Sequence, residues 1–290
     1  METVRRHLPV WASAIALCGG LIFASPVSAI GFSFQDRDVA RTISLGGSCR
    51  GCELSGRDLS GANFTGASFA DATLIGTNLR GSTIIRSQFK DARFDNADLR
   101  GSTMIGSNFS DTSFRSANMS GIVATGSSFE DADLRSADLT GAELVGTVFT
   151  DADLRNVNAR GAKMFGISLR GADARLVDFR NTEMTGANLT DADVRASNFS
   201  GANLTSARLT DARLDMTRLR GANMNRTDIR GTDLRRALEL TQSQINRACG
   251  DSSTQLPRGL TVNVCRTAPT APPVPPAPSA PPAPPPRPIR

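Results

Sequence analysis

From Leu54 to Leu234 a large apolar residue recurs at every fifth position without one slip, giving 37 consecutive pentads. Sixteen of these central residues are Leu, ten Phe, five Met, two Ile, one Val and three Ala, so none is polar. Two residues earlier the side chain is usually small: 18 Ala, 6 Ser and 7 Thr among the 37. A helix repeats every 3.6 residues and a strand every 2, and neither holds a period of five over this distance. The chain must therefore turn once per pentad, presenting one large and one small side chain inward on each straight piece.

A slower period says how many straight pieces close a circuit. Phe69, Phe89, Phe109, Phe129 and Phe149 recur every 20 residues, as do Asp71, Asp91, Asp111, Asp131 and Asp151. Twenty is four fives, so four sides make one coil and identical residues stack in ladders. With neighbouring backbones about 4.8 Å apart, 37 pentads give roughly nine coils and a rod on the order of 43 Å long. Such a solenoid is held by contacts between adjacent coils and needs caps at both ends.

Segments such as Ala62-Asn63-Phe64-Thr65-Gly66 and Ala137-Asp138-Leu139-Thr140-Gly141 resemble the A(D/N)LXX motif of pentapeptide-repeat proteins. The resemblance covers residues 52–236. It implies an all-β fold, a right-handed quadrilateral parallel β-helix. About function it implies little: the family's best-known members are cytoplasmic gyrase inhibitors that mimic DNA with an acidic rod, and many exported members have no assigned role.

Substitutions inside the predicted core are coupled. Where the large site shrinks to Ala124 or Ala159, the small site grows to Ile122 or Val157, as close packing requires. Ala174 has no such partner, because Ala172 is small too, and a void or pinch is expected there. Gly61, Gly81, Gly101, Gly121, Gly141 and Gly161 form one turn column and Asp71 to Asp151 another. Gly permits positive φ and Asp bonds turn backbone, so both read as turn chemistry; a Ca²⁺-binding acidic ladder is the competing reading.

The ends differ from the array. Residues 1–29 carry Arg5 and Arg6, an apolar stretch from about Val10 to Ala24, and Val27-Ser28-Ala29, which together read as a secretory signal peptide. The stretch is short for an uncleaved anchor, Pro9 weakens a twin-arginine reading, and Leu17 weakens lipidation of Cys18. Four cysteines then remain, and an even count in an exported chain suggests disulfides. Cys49 with Cys52 and Cys249 with Cys265 is the preferred pairing, since a rod keeps its ends apart; a redox or metal role for Cys49-x-x-Cys52 is the alternative. Residues 30–51 are read as an N-terminal cap, 52–236 as the helix of about nine coils, and 237–266 as a small C-terminal helical cap with a disulfide. Thr241 and Gln244 have capping-box spacing there. Residues 267–290 are half Pro, 12 of 24, and read as an extended Pro-rich tail.

The only His and Trp are His7 and Trp11, both in the leader, and there is no Tyr. The usual general base and metal ligand and the best stacking side chains are thus missing from the repeats. No catalytic residue, metal ligand set or cofactor is expected. One outward column sets Asp133, Asp153, Asp173 and Asp193 beside Arg115, Arg135, Arg155, Arg175 and Arg195, which predicts a lattice of exposed ion pairs. Another is apolar: Ile85, Ile105, Val145 and Phe165, interrupted by Thr125 and flanked by Val123. Contiguous apolar ladders mark contacts, so Ile85, Ile105, Val123, Val145 and Phe165 are the candidate interface.

The reading is a non-catalytic periplasmic or secreted scaffold whose partner is a protein or envelope component, or a second copy of the chain. Nucleic-acid binding and stable membrane insertion are not expected. A DNA-mimic gyrase inhibitor is an alternative, but residues 50–236 hold 24 Lys+Arg and 23 Asp+Glu, not the acidic surface that mimicry needs. A β-helix polysaccharide-active enzyme is another, although no insertion or aromatic platform breaks the 37 pentads.

Overall fold

The computed structural model describes residues 47–265; the leader, residues 30–46 of the expected N-terminal cap and the Pro-rich tail lie outside them. Each straight piece pairs with the one 20 residues later through a parallel bridge. Four columns of bridges result. The first side runs Glu53↔Thr73 to Arg213↔Asp233, the second Asp58↔Asn78 to Arg218↔Leu238, the third Asn63↔Thr83 to Asn203↔Asn223, and the fourth Ser48↔Ser68 to Arg208↔Asp228. The 20-residue register seen in the sequence is thus the hydrogen-bond register of a four-sided β-helix.

Why each pentad turns is visible in its backbone. The N–H three residues after a central residue returns to that residue's carbonyl, as from Ala62 to Leu59 at 3.1 Å. The second turn residue has positive φ at every position from 51 to 231, which is the signature of a type II turn. Asp71, Asp91, Asp111, Asp131 and Asp151 take this conformation with φ of 55 to 61°, so the Asp column is indeed a turn column. Two of its side chains reach the neighbouring coil: Asp71 pairs with Arg50 and Asp111 with Lys90. The carboxylate or amide that serves the turn sits instead at the outward strand position, two residues before the N–H it accepts. Examples are Asp58 with Ser60 N–H, Asn63 with Thr65 N–H and Asp138 with Thr140 N–H, at 3.0 to 3.1 Å. This bond explains why Asp and Asn recur at the second position of the pentad.

All 37 central residues are buried. Phe69, Phe89, Phe109, Phe129 and Phe149 stack with ring centroids 4.8 to 5.2 Å apart and planes within 15°, one ring per coil. Phe94 and Phe114 form a shorter stack beside them at 4.8 Å. Each contact adds about 0.5–1.5 kcal/mol to area burial. Many inner Ser and Thr hydroxyls find an acceptor in the carbonyl of a central residue one coil back. Thr77 donates to Leu54, Thr112 to Phe89 and Thr147 to Ala124, at 2.8 to 2.9 Å. Thr182 and Thr232 bond the carbonyl three residues earlier, and Ser82 and Ser102 Oγ are buried without a partner among the described residues. A satisfied hydroxyl avoids the burial penalty of an unpaired one.

Ile122 with Ala124, and Val157 with Ala159, are buried together. At Ala174 the irregularity has a different origin from the missing volume. Ser197 Oγ donates to the Ala174 carbonyl and accepts from Val177 N–H, so a hydroxyl is inserted into the turn. Ser107 and Ser127 insert in the same way after Ile84 and Met104, where the large site is filled.

After the last pentads the chain makes one helical turn, α1 (Gln242–Ile245), started by a Thr241–Gln244 capping box. Gln244 Nε2 donates to the carbonyls of Leu219 and Ala222 at 2.6 and 3.0 Å, beyond the last bridge of the third side. Cys249 pairs with Asp228 and Gln255 with Asp233, extending the fourth and first sides. The disulfides are Cys49–Cys52 and Cys249–Cys265.

Two glycines separate backbone strain from crowding. A Cβ at Gly161 (φ +66°) meets nothing within 4 Å, whereas one at Gly171 (φ +66°) comes within 2.1 Å of Asp151 Oδ1. Gly161→Ala is expected to lose about 1–2 kcal/mol from φ alone, and Gly171→Ala more. Adding Asp151→Ala should bring the second loss back to the first, as read from thermal melts by circular dichroism.

Candidate functional site

The predicted apolar column is present, and it sits on a corner. Ile85, Ile105, Thr125, Val145 and Phe165 are the first residues of successive turns between the third and fourth sides. The first residue of a type II turn points away from the bend, so the column is a ridge at a corner and not part of one of the four sides. Ile105, Val145 and Phe165 are 39, 38 and 38% exposed, and Ile85 and Val123 are half-buried. Val123 belongs to the third side, bridged to Thr103 and Glu143.

What flanks the ridge matters as much. The fourth side beside it reads Ser68, Gln88, Asn108, Ser128, Val148, Ser168 and Asn188, with no charge over six bridges. The third side is uncharged through Val123, then becomes Glu143, Lys163 and Glu183, where Lys163 pairs with Glu143. An uncharged strip of this length in a chain that is 21% charged desolvates at low cost.

The first side carries the charged lattice. Arg135, Arg155, Arg175 and Arg195 each grip the Asp two residues earlier through Nε and Nη2, at 2.6 to 2.9 Å. For three of these the contacts to the next coil are longer: Arg135–Asp153 3.5 Å, Arg155–Asp173 3.6 Å and Arg175–Asp193 3.9 Å. Arg115, which has Ser113 where the others have Asp, instead bonds Asp133 of the next coil directly through Nε. The expected cross-coil pairing is thus close at Arg115–Asp133 and secondary to bidentate pairs within the pentad at Arg135, Arg155 and Arg175. Burial would raise the Asp133 carboxyl, but hydrogen bonds from Arg135 and Arg115 outweigh it and hold the pKa at about 2. Asp173 and Asp193 are shifted down for the same balance of causes. These charges satisfy one another and are not poised for acid–base work.

One apolar feature was missed in the sequence. At the corner between the first and second sides, the second turn residue changes from Ser116, Ser136 and Asn156 to Leu176, Ala196 and Met216. All three have positive φ, 58 to 61°, and Leu176 and Met216 are 58 and 43% exposed. A groove of about 370 Å³ on one flank is lined by Leu176, Ala196, Met216 and Leu238 among others. A second, of about 460 Å³, runs between Leu176, Ala196 and Met216 on one side and Arg155, Arg175 and Arg195 on the other. The available clue was three successive residues unsuited to a left-handed turn in a column otherwise made of Gly, Ser and Asn.

Among the described residues, Asp228, Cys249 and Cys265 bring three ligand-type atoms within 4.8 Å of one another. Both sulfurs are spent in the disulfide and Asp228 is gripped by Arg230 at 2.6 Å, so the trio is a structural joint. No helix among the described residues is long and apolar enough to cross a membrane.

The Asp133 shift sets a pH test. Its folded pKa lies below its unfolded value, so its stabilisation is complete above the unfolded pKa near 3.8 and disappears as pH falls toward about 2. Urea melts should find wild type more stable than Asp133→Asn near neutral pH, with the gap closing through that window.

The profile of pentapeptide repeats matches in eight copies, over residues 48–84, 92–131, 127–166, 162–201 and 202–238, more than half of the chain. No curated protein matches the sequence. Among solved structures, full-length QnrB1, a plasmid-mediated fluoroquinolone resistance protein, is 19% identical, with 71% of this chain and 94% of that one covered and a TM-score of 0.39. HetL, a pentapeptide-repeat protein involved in heterocyst differentiation regulation from the cyanobacterium Nostoc sp. strain PCC 7120, is 21% identical, with 78 and 97% covered and a TM-score of 0.28. Rfr23 from the cyanobacterium Cyanothece 51142 is 16% identical, with 53 and 90% covered and a TM-score of 0.32. Pentapeptide-repeat proteins fold as right-handed quadrilateral β-helices, and with its unbroken pentads, four bridge columns and profile match this chain belongs to the pentapeptide-repeat family.

Proposed function

We propose that the protein is a non-catalytic exported scaffold, a rod of about nine coils closed by a C-terminal helical cap, that docks a partner protein on the corner bearing Ile105, Val145 and Phe165. The carrying observation is that these side chains are 38–39% exposed, in register, and bordered by an uncharged side. A regular β-helix can bury its apolar residues at the central positions, and the other first-turn residues are largely polar. Apolar side chains kept outside for several coils are consistent with selection for contact. Support for a binding role over a catalytic one is the pairing of the charged groups: Asp133, Asp173 and Asp193 are held by Arg and shifted down, which makes these three carboxyls unsuited to act as acids near neutral pH.

Export is supported by Arg5 and Arg6, the apolar stretch and Val27-Ser28-Ala29, and agrees with two disulfides. Intact-mass measurement on protein recovered from a bacterial envelope fraction is expected to give a chain beginning at Ile30; an uncut N-terminus contradicts the export reading. The docking reading is tested with Ile105→Asp plus Phe165→Asp, both at exposed sites that leave the core untouched. Co-purification from the native envelope fraction, with light scattering on the same eluate, should show a stoichiometric protein partner on wild type and at least tenfold less on the folded variant. An equal partner yield, or no partner on either, overturns it.

A further inference from the structure

A different corner carries an inference that is independent of the Ile105 ridge. Leu176, Ala196 and Met216 occupy left-handed turn positions with their side chains in or beside an open groove. Left-handed backbone costs an L-residue about 1–2 kcal/mol, and Leu176 and Met216, 58 and 43% exposed, repay it only in part within the rod. Ala196 lies between the two larger side chains, so the column is a saddle with a knob at each end. Leu176 and Met216 are two coils apart. One coil advances 4.8 to 5.2 Å by the Phe stack, so the knobs lie roughly 10 Å apart.

The chain holds a segment with a matching repeat. Beyond Cys265, Pro occurs at 269, 272, 275, 278, 281 and 284, every third residue. A polyproline II helix has three residues per turn and rises about 3.1 Å per residue, so those prolines would form one face with a step of about 9.3 Å. That step is close to the spacing of the knobs. Reach is sufficient. Cys265 is pinned to Cys249, which extends the fourth side, and Leu238 at the groove belongs to the last bridge of the second side. Passing around two sides of five residues each takes about 33 Å, or about 11 residues of polyproline II. The 25 residues after Cys265 then leave about 14, Ala277–Arg290, for contact. The two arginines in that stretch, Arg287 and Arg290, disfavour the flank where Arg155, Arg175 and Arg195 outnumber Asp215 and select the flank with Leu238, whose one arginine, Arg218, is balanced by Asp178.

We infer that the Pro-rich tail folds back on its own rod, seating the face of Pro278, Pro281 and Pro284 in the groove formed by Leu176, Ala196, Met216 and Leu238. Docking there covers the second apolar surface of the rod and gives Leu and Met at strained turns a compensating contact.

Methionine methyl NMR tests this directly. Met216 is exposed, while Met104, Met119, Met164, Met184 and Met224 are buried, so its resonance, assigned with Met216→Leu, reports the groove and the others report the fold. Removing residues 266–290 is expected to move the Met216 peak by more than its linewidth, leave the five buried peaks in place, and act equally at all protein concentrations. Adding a synthetic peptide of residues 266–290 to the truncated protein should return the peak saturably toward its original position. Superimposable Met216 peaks in full-length and truncated protein overturn the inference. A shift that grows with protein concentration overturns it too, since the tail would then come from a second copy.

Discussion

Every straight piece of this rod must find its hydrogen-bond partners in a piece 20 residues away, and that single offset organises everything else. Because the bridges are parallel and in register, any residue stands directly on the residue 20 positions earlier. A preference at one position thereby becomes a column: Phe on Phe at about 5 Å, Asp beside Arg, left-handed turn on left-handed turn. Nearest-neighbour stacking of this kind sums contributions along the axis. No residue here is central in the way a globular core residue is, and the stability of a coil depends on how well it matches the coils on either side.

The period of five and the period of twenty were legible because they are set by backbone geometry that every repeat must obey. The buried set, the four sides, the charged residues of the first side and the capping box at Thr241 could all be placed from spacing. Details that depend on side-chain direction were not. The Asp71–Asp151 column reads as turn chemistry, yet the turn N–H groups are accepted by Asp58, Asn63 or Asp138 at the outward strand position. The Ile105 column reads as part of a face, yet it stands on a corner, because only the structure says which turn residue points along the diagonal. Leu176 and Met216 escaped notice for a related reason: their anomaly is a φ angle, which sequence shows only as a missing Gly or Asn.

Functional chemistry in such a repetitive scaffold is carried by departures from the repeat. The charged side is self-satisfied, with each Asp held by two nitrogens of its own Arg, and offers a partner little that is not already engaged. The two apolar ridges differ. Ile105 to Phe165 stand at ordinary turn positions beside a long uncharged side, a surface suited to another protein. Leu176 to Met216 stand at strained positions near the end to which the Pro-rich tail is pinned. On the two proposals the same exposed apolar chemistry would serve two roles, distinguished by backbone conformation and by what lies within reach.

The central claim is that the 20-residue ladder, more than the pentad itself, holds the rod together. Two deletions in the middle of the array test it: residues 132–151, a whole coil, and residues 132–136, a single pentad. Both keep the five-residue period, but only the first leaves every remaining residue on the side it occupies in the intact rod, with Leu169 standing on Phe129 and Asp153 taking the place of Asp133 beside Arg115. Guanidinium unfolding should show the 20-residue deletion folding cooperatively with a midpoint close to wild type, and the five-residue deletion unfolding at markedly lower denaturant. Equal midpoints for the two, or a lower one for the whole-coil deletion, would contradict the account.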